Sequence, residues 1–305
     1  MFTTPSRQVA QVTTRKVPPA LHPLLRYPRA TRIDWQNSNT RQIWDLGNGK
    51  LYKRRPHRAG GVYECDIRTL VQSVTSIPIP TIYHEWVTTE GCPDRRVSVH
   101  HMIMEKVEGE SLDKEWPYLH SDTKERLAIQ FAEYVDQLRR IIGSSICTFD
   151  GGPLPDDHEI LFDRRYISRA PITDDESLWA AMTSHLQRSH SLTIQQALME
   201  LRPMMPQSFP AVLTHADLHA GNVMVRNEKI VAIIDWEDAA FYPCWMEYVK
   251  IYHCSSDPEL EFEHLVVNSM EAYPAARKFI GILDALRIST PEMIRWAVRE
   301  LRSST

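Results

Sequence analysis

The sequence predicts an α+β chain with a small β-rich first lobe and a larger, mainly helical second lobe. At 305 residues the chain exceeds the size at which a single hydrophobic core usually stops growing, so two lobes are expected. Strand-like alternation and tight-turn signals are concentrated in residues 31–109, whereas helical periodicity dominates residues 110–305. Residues 1–30 contain five prolines, which interrupt any long helix, and are expected to form an N-terminal extension.

The composition is that of a globular protein from a reducing compartment. Hydrophobic residues make up 43% of the chain, and the five cysteines are scattered without the spacing of a metal site. No apolar run is long enough to cross a bilayer, and the first residues lack the apolar core of a secretory signal. We therefore expect a soluble, cytoplasmic protein. The Arg- and Thr-rich segment 1–30 also has the composition of a mitochondrial presequence, but its prolines oppose that interpretation.

Charge is unevenly distributed along the chain. The first 60 residues contain 12 Lys or Arg and 2 Asp, whereas the net charge of the whole chain is −4. A basic segment is compatible with nucleic-acid binding, but no base-reading motif or recognisable basic helix accompanies it. We expect a solvated surface that attracts phosphate groups, with neither a nucleic acid nor a membrane as partner.

The elements of the small lobe follow from turn signals and alternation. A polar turn at 37–40 and the Gly-Asn-Gly sequence at 47–49 are typical of the connections between short antiparallel strands. Strands are expected at 32–36, 42–46, 51–53 and 97–105, and a helix at 64–73.

Helices dominate the predictions for the large lobe. The capping-box pattern at 122–125 is followed by apolar residues on one helical face, and Gly143 is expected to stop this helix. Residues 144–175 are expected to form a long loop, and loops of that length are often functional. Further helices are expected at 176–188, at 192–201 and in the remainder to about residue 301, with breaks at Pro274 and Pro291.

The most informative segment is residues 214–236. It contains Asp217, then Asn222 five residues later, and then a predicted β-hairpin that ends in Asp235 after four apolar residues. Phosphoryl transfer from ATP requires divalent cations to bridge the phosphates, and carboxylate and amide oxygens are ligands that Mg²⁺ prefers. The pattern therefore predicts ATP and Mg²⁺ as cofactors. Asn222 and Asp235 are the expected metal ligands, and Asp217 is the expected catalytic base for the acceptor hydroxyl.

The spacing from His215 to Asn222 matches the kinase catalytic-loop pattern H-x-D-x-x-x-x-N. Together with the sequence Ile-Ile-Asp-Trp-Glu around Asp235, it resembles the aminoglycoside phosphotransferase and choline kinase-like family of small-molecule kinases, particularly its fungal-type members. The resemblance covers roughly residues 40–290 and implies a bilobal protein-kinase-like fold. Two departures are Ala216, where most relatives carry Gly, and the glycine-free turn at 37–40, which the resemblance places over the ATP phosphates. If position 216 needs a positive φ, Ala lowers stability there.

The resemblance also implies nucleotide-binding residues in the small lobe. Lys53 would contact the α- and β-phosphates, and Glu64 would be its ion-pair partner. Lys50, Arg54 and Arg55 compete with Lys53 for this role.

The resemblance further implies a hinge at the end of the small lobe. In the Met-Glu-x-x-x-Gly segment at 104–109, backbone groups of Glu105 and Val107 would meet the adenine edge. Because backbone groups make these contacts, the side chains here are weakly constrained.

Three functions are compatible with these observations. They are an ATP-dependent kinase of a small hydroxylated molecule, a kinase-fold binding protein with little turnover, and a protein kinase. The complete set of expected groups argues against lost turnover, and Asp235 runs into Trp-Glu-Asp-Ala without room for a protein-kinase activation segment. Acidic residues of the large lobe would attract a cationic acceptor such as an aminoglycoside or amino alcohol, or would be solvated surface. These acidic residues are Glu237, Asp238 and Glu247.

Overall fold

The computed structural model divides the chain into two units, each with its own core. The first unit comprises residues 1–58, 63–65 and 79–107, and the second comprises 59–62, 66–78 and 108–305. The predicted lobe boundaries at 30 and 109 stay predictions. The predicted turn at 37–40 and most of residues 1–30 lie outside the described part of the chain. The structure describes residues 16, 19, 22–33, 41–57, 63–92, 95–154, 160–162, 170–253 and 260–303.

An antiparallel sheet of five strands, in the order β1-β2-β3-β5-β4, forms the first unit. The predicted turn at 47–49 joins β2 to β3, with φ values of 74°, 48° and 73° that suit its Gly-Asn-Gly sequence. A short helix, α1, precedes the sheet, and α2 begins in this unit. The elements are α1 (Pro23–Arg26), β1 (Thr31–Arg32), β2 (Gln42–Gly47), β3 (Lys50–Pro56), α2 (Glu64–Val74), β4 (Ile82–Cys92) and β5 (Arg95–Glu105).

The two faces of this sheet carry different side chains. One buried cluster contains Tyr52 and Trp86, and another contains Cys65 and Met102. Lys53 lies opposite Met102 in the register of β3 and β5. Because side chains alternate along a strand, Lys53 and the residue two positions later share the face of Met102.

Helices and two small sheets form the second unit, with strand orders β11-β10-β6 and β7-β9-β12-β8. The helices are α3 (Leu112–Glu115), α4 (Ser121–Arg139), α5 (Asp175–Thr183), α6 (Leu192–Leu201), α7 (Met246–His253), α8 (Leu260–Ser269), α9 (Pro274–Ile288) and α10 (Pro291–Arg302). The strands are β6 (Glu110–Ser111), β7 (Ile142–Gly143), β8 (Cys147–Thr148), β9 (Ala211–Thr214), β10 (Val223–Arg226), β11 (Lys229–Ile233) and β12 (Ala240–Tyr242).

Helix α4 differs from its prediction at both ends. His120 occupies the N-cap position, so the prediction that Asp122 caps the helix was wrong. Asp122 lies in the first turn, where a negative charge is favourable. The predicted stop at Gly143 was also wrong, because residues 142–143 pair with β9 as a strand. A Cβ at Gly143 would lie 2.5 Å from the ring of Phe241, so close packing explains this glycine.

The predicted loop at 144–175 is partly organised by strand pairing. It contains β8, and Ile146 forms an isolated bridge with Ile172. Its middle is held by Arg287 of α9, which donates hydrogen bonds to the carbonyls of Ile160 (2.8 Å) and Leu161 (2.9 Å) and also to that of Met182 in α5 (2.9 Å). The middle of the loop is therefore anchored through backbone atoms.

The remaining helices follow their predictions closely. Helix α6 has the predicted bounds, and Pro274 and Pro291 begin α9 and α10, where proline is favoured. The helix predicted at 176–188 is shorter, because α5 ends at Thr183 and a separate 3₁₀ turn covers Leu186–Arg188. Within the described ranges, no helix combines the length and the apolar character that crossing a bilayer requires.

Candidate active site

The loop predicted to be catalytic, residues 215–222 and called the catalytic loop below, connects β9 to β10. All four residues of β9 are buried, so the loop begins from a fixed position in the core. It closes with a 3₁₀ turn whose N-cap residue, His219, accepts a hydrogen bond from Gly221 N through Nδ1 (3.1 Å). A Cβ at Gly221 would lie 2.8 Å from the His219 ring, so only glycine fits there without a shift.

His215 is a buried, neutral support for this loop. Its Nε2 lies 3.0 Å from the carbonyl oxygen of Ile234, so Nε2 carries the hydrogen. Its Nδ1 then accepts a hydrogen bond from Asp217 N (3.3 Å). Burial lowers the pKa of His215 to about 4, which keeps the imidazole uncharged at neutral pH. The ring therefore connects Asp217 to the chain just before Asp235.

Asp217 and Asn222 are held together by their side chains. The amide nitrogen of Asn222 donates to the backbone oxygen of Asp217 (2.8 Å) and to its Oδ2 (3.1 Å). Because both donated bonds use the nitrogen, the amide oxygen is the atom that Asn222 can offer to a cation. The Asp217 side chain is 32% exposed, so a substrate can reach it.

Asp235 follows β11 in the left-handed conformation, with φ 65° and ψ 59°. Its carboxylate and that of Glu237 have oxygens within 4.8 Å of each other. A pair of carboxylates this close together suits a hard divalent cation. Glu237 was not among the metal ligands predicted from the sequence. The available signal was its position two residues after the expected metal ligand.

Trp236 separates these two acids and packs inward. Its ring centroid lies 4.6 Å from that of His215, and its Nε1 donates to the carbonyl oxygen of Ile233 (2.9 Å). The tryptophan therefore packs against His215 of the catalytic loop, while the flanking acids Asp235 and Glu237 remain partly exposed.

Glu247 of α7 anchors the start of the loop. Its Oε2 accepts hydrogen bonds from His215 N (2.9 Å) and Ala216 N (3.3 Å), and the residue is only 3% exposed. Burial raises the pKa of Glu247 to about 7, although the two backbone hydrogen bonds oppose this shift. Glu247 is thus neither a solvated surface acid nor an attractor of a cationic acceptor, because it is enclosed beneath the loop.

Ala216 has the positive φ at which an alanine was expected to lower stability. Its φ is 65°, and the residue is fully buried. A left-handed conformation costs a non-glycine residue roughly 1–2 kcal/mol. The hydrogen bond from Ala216 N to Glu247 helps to hold it there.

In the first unit, Glu64 pairs with two cations. Its Oε1 lies 3.8 Å from Lys53 Nζ and 3.5 Å from Arg55 Nη2. Arg55 lies within β3 on the same face as Lys53, and its side chain is only 4% exposed. The structure therefore brings the predicted pair together and adds Arg55 as a second partner.

The predicted hinge residue Glu105 is bound to the preceding strand. Its N–H donates to Thr81 O (2.8 Å), and its Oε2 accepts from Thr81 N (3.0 Å). Since the N–H of Glu105 is committed to Thr81, an adenine ring would have to contact its carbonyl oxygen. Val107 is the last residue of the first unit.

Family comparison decides the class of this protein. The model of the APH phosphotransferase enzyme family matches residues 29–280. The chain belongs to this family. The predicted resemblance to aminoglycoside phosphotransferases is thereby confirmed, whereas the narrower resemblance to fungal-type members stays a prediction.

Solved structures share the fold of this APH-family chain. A streptomycin–ATP–APH(2″)-IIa ternary complex aligns with a TM-score of 0.50 and 16% identity over 92% of both chains. APH(4)-Ia with ADP and hygromycin B gives 0.53 and 17% over 92% of this chain and 95% of that one. ADP-bound APH(2″)-Ib gives 0.51 and 15% over 89% and 91%. Comparison with curated proteins gives no significant match. The structural matches confirm the predicted α+β, kinase-like fold.

Proposed function

We propose that this APH-family protein transfers the γ-phosphate of ATP to a hydroxyl group of a small molecule. The observation that carries the proposal is the arrangement of Asp217, whose partly exposed carboxylate accepts a hydrogen bond from Asn222 and whose backbone N–H donates one to His215. A loop with only a structural role does not require a solvent-accessible carboxylate whose residue is fixed by these hydrogen bonds. The nucleotides in the APH neighbours agree with ATP as donor.

Asp217 would orient the acceptor and take its proton. Its Oδ2 already accepts a hydrogen bond from Asn222, so Oδ1 is the oxygen we assign to the acceptor hydroxyl. Because phosphoryl transfer has a loose transition state, the proton would move to Asp217 late in the reaction.

Asn222, Asp235 and Glu237 would hold Mg²⁺ through one amide and two carboxylate oxygens. When bound, the ion neutralises phosphate charge and aligns the phosphates for transfer. The left-handed conformation of Asp235 and the adjoining turn keep its carboxylate close to that of Glu237.

The first unit would supply the remaining nucleotide contacts. Lys53 would contact the α- and β-phosphates, while Glu64 restricts the lysine side chain and so reduces the entropy lost on binding. The carbonyl of Glu105 and the N–H of Val107 would contact adenine.

The acceptor is proposed to be a hydroxylated small molecule that carries amino groups. The aminoglycosides in the similar structures favour this class. Asp238 is a partly exposed acid of the turn that follows Asp235, and its charge would attract such a cation.

A screen of ATP consumption tests the proposal. Aminoglycosides, amino alcohols and neutral polyols are supplied with Mg²⁺ and ATP, and ADP release is measured for the parent protein and for Asp217→Asn. We expect at least one compound to stimulate ADP release in the parent and hardly at all in the variant. Equal stimulation in both proteins would refute the role of Asp217.

A further inference from the structure

A buried carboxylate outside the proposed catalytic groups binds the first turn of the helix that carries Glu64. Glu85 of β4 is fully buried. Its Oε1 accepts a hydrogen bond from Glu64 N (2.7 Å), and its Oε2 accepts one from Cys65 N (2.8 Å). His100 Nε2 adds a third contact at 2.8 Å to Oε1. The N–H groups at a helix start have no intrahelical partner, and here a distant strand provides one.

The surroundings favour an ionised Glu85. Burial raises the pKa of Glu85, but the hydrogen bond and charge of His100 and the hydrogen bond from Cys65 outweigh burial and hold the pKa below its usual range. A negative charge also interacts favourably with a helix N-terminus. The charge is therefore retained opposite Met102, a member of a buried apolar cluster, in the register of β4 and β5.

Capping alone does not explain a buried charge at this place. A serine or aspartate at position 63 would cap the helix locally without a buried ion pair, yet the chain has Tyr63 there. The arrangement instead ties the start of α2 to β4. That connection fixes the position of the Glu64 backbone, and hence of its side chain, relative to Lys53. Lys53 lies on the same face of the sheet as Met102.

We propose that Glu85, supported by His100, is a positioning residue of the nucleotide site that keeps Glu64 within reach of Lys53. The inference rests on the proposed function, in which Lys53 contacts the ATP phosphates. Without Glu85, the start of the helix would shift, Glu64 would lose its hold on Lys53, and phosphate binding would weaken.

Three isosteric or near-isosteric variants separate positioning from general stability. Glu85→Gln turns an amide NH₂ toward converging N–H donors, and His100→Gln replaces the imidazole donor by a neutral amide donor on a more flexible side chain. His101→Gln is the matched control. His101 is the next residue of β5 and is 2% exposed, but it faces the other side, with Tyr52 Oη at 2.8 Å and Thr88 Oγ1 at 2.7 Å.

Calorimetry of the full-length protein would measure dissociation constants for Mg²⁺·ATP and for adenosine, and thermal melting would verify folding. Loss of a charged contact suggests about a tenfold weaker Mg²⁺·ATP affinity for Glu85→Gln, with less than about a twofold change for adenosine. We expect a smaller effect in the same direction from His100→Gln and none from His101→Gln. In a Lys53→Ala background, Glu85→Gln should have little further effect. If Glu85→Gln does not fold, His100→Gln carries the same comparison.

Two results would overturn the inference while leaving the proposed function intact. One is an equal loss of ATP and adenosine affinity, and the other is an undiminished effect of Glu85→Gln in the Lys53→Ala background. An unchanged ATP affinity in Lys53→Ala alone would instead locate the failure in the proposed nucleotide site, and the inference would fall with it.

Discussion

The catalytic loop and the Lys53–Glu64 pair are held by different kinds of interaction. The loop depends on the neutral imidazole of His215, on the amide of Asn222 and on Glu247, whose raised pKa of about 7 leaves it only partly ionised at neutral pH. The pair lies among buried charges. Arg55 contacts the Glu64 carboxylate, and the Glu85 carboxylate accepts a hydrogen bond from Glu64 N. Removing one member of such a cluster leaves an uncompensated buried charge, whereas removing a neutral hydrogen bond has a smaller effect.

This difference implies a division between the effects of substitutions. Changes of exposed loop carboxylates should reduce turnover with little effect on stability. Changes in the charged cluster should alter stability and nucleotide affinity together. Substitutions in each of the two regions test this division.

Asp235→Ala should reduce phosphotransfer below detection while the protein remains folded, because a metal ligand is lost without removal of a core side chain. ADP release at varied Mg²⁺ and a thermal melt would measure both effects. Asp235→Asn serves as a second variant, since asparagine also tolerates the left-handed conformation found here. Glu228→Ala, at the turn of the same hairpin, is the control. Turnover near the parent rate in both Asp235 variants would exclude Asp235 as a metal ligand.

Asp217→Asn should reduce turnover by about 10²–10⁴-fold and change ATP affinity by less than about tenfold, because the proton acceptor is lost while size is kept. Calorimetry would give the affinity, and ADP release with an acceptor from the screen would give the rate. A parent-like rate would mean that Asp217 is only a structural loop residue.

Arg55→Ala and Lys53→Ala should both lower stability and ATP affinity, but in different proportions. Removing the buried Arg55 leaves Glu64 with one partner fewer, so the free energy of unfolding should fall by roughly 3–5 kcal/mol. Lys53→Ala should weaken ATP binding about tenfold with a smaller loss of stability. Urea unfolding and calorimetry would measure the two effects. Lys50→Ala is the control, because the Lys50 ammonium lies over the Tyr83 ring. Similar profiles for all three variants would indicate a general basic surface.

Glu247 should make stability depend on pH. Its pKa is raised to about 7 in the folded protein, so the folded state binds the proton more tightly than the unfolded state. The resulting stabilisation is present below about pH 4.5 and is lost as pH rises through 7, with a magnitude on the order of 3 kcal/mol. Glu247→Gln should remove this slope, which urea unfolding between pH 4.5 and 8 would measure. Parallel slopes for parent and variant would contradict the assignment.

Features with short sequence separation could be predicted well. The distance from Asp217 to Asn222 indicated their association, and apolar periodicity gave the bounds of α6. The hairpin at 47–49 followed from residues that favour positive φ. In each case, residues within a few positions of one another carry the physical cause.

Features set by distant partners could not be predicted in the same way. Helix α4 ends before Gly143 because β9, far along the chain, pairs with that segment. Glu247 seemed a surface acid because nothing near it in sequence indicates that two N–H groups of the catalytic loop enclose it. Likewise, the role of Arg55 depends on the position of a helix that begins at Glu64.

The way Arg287 holds the segment around Ile160 and Leu161 has an evolutionary consequence. The guanidinium recognises carbonyl oxygens, which every amino acid possesses, so the anchor does not depend on the side chains of the segment it holds. Mutations elsewhere in the loop can therefore accumulate without releasing this anchored segment. If this loop contributes to the acceptor pocket, acceptor preference can diverge between relatives while the surrounding scaffold stays the same.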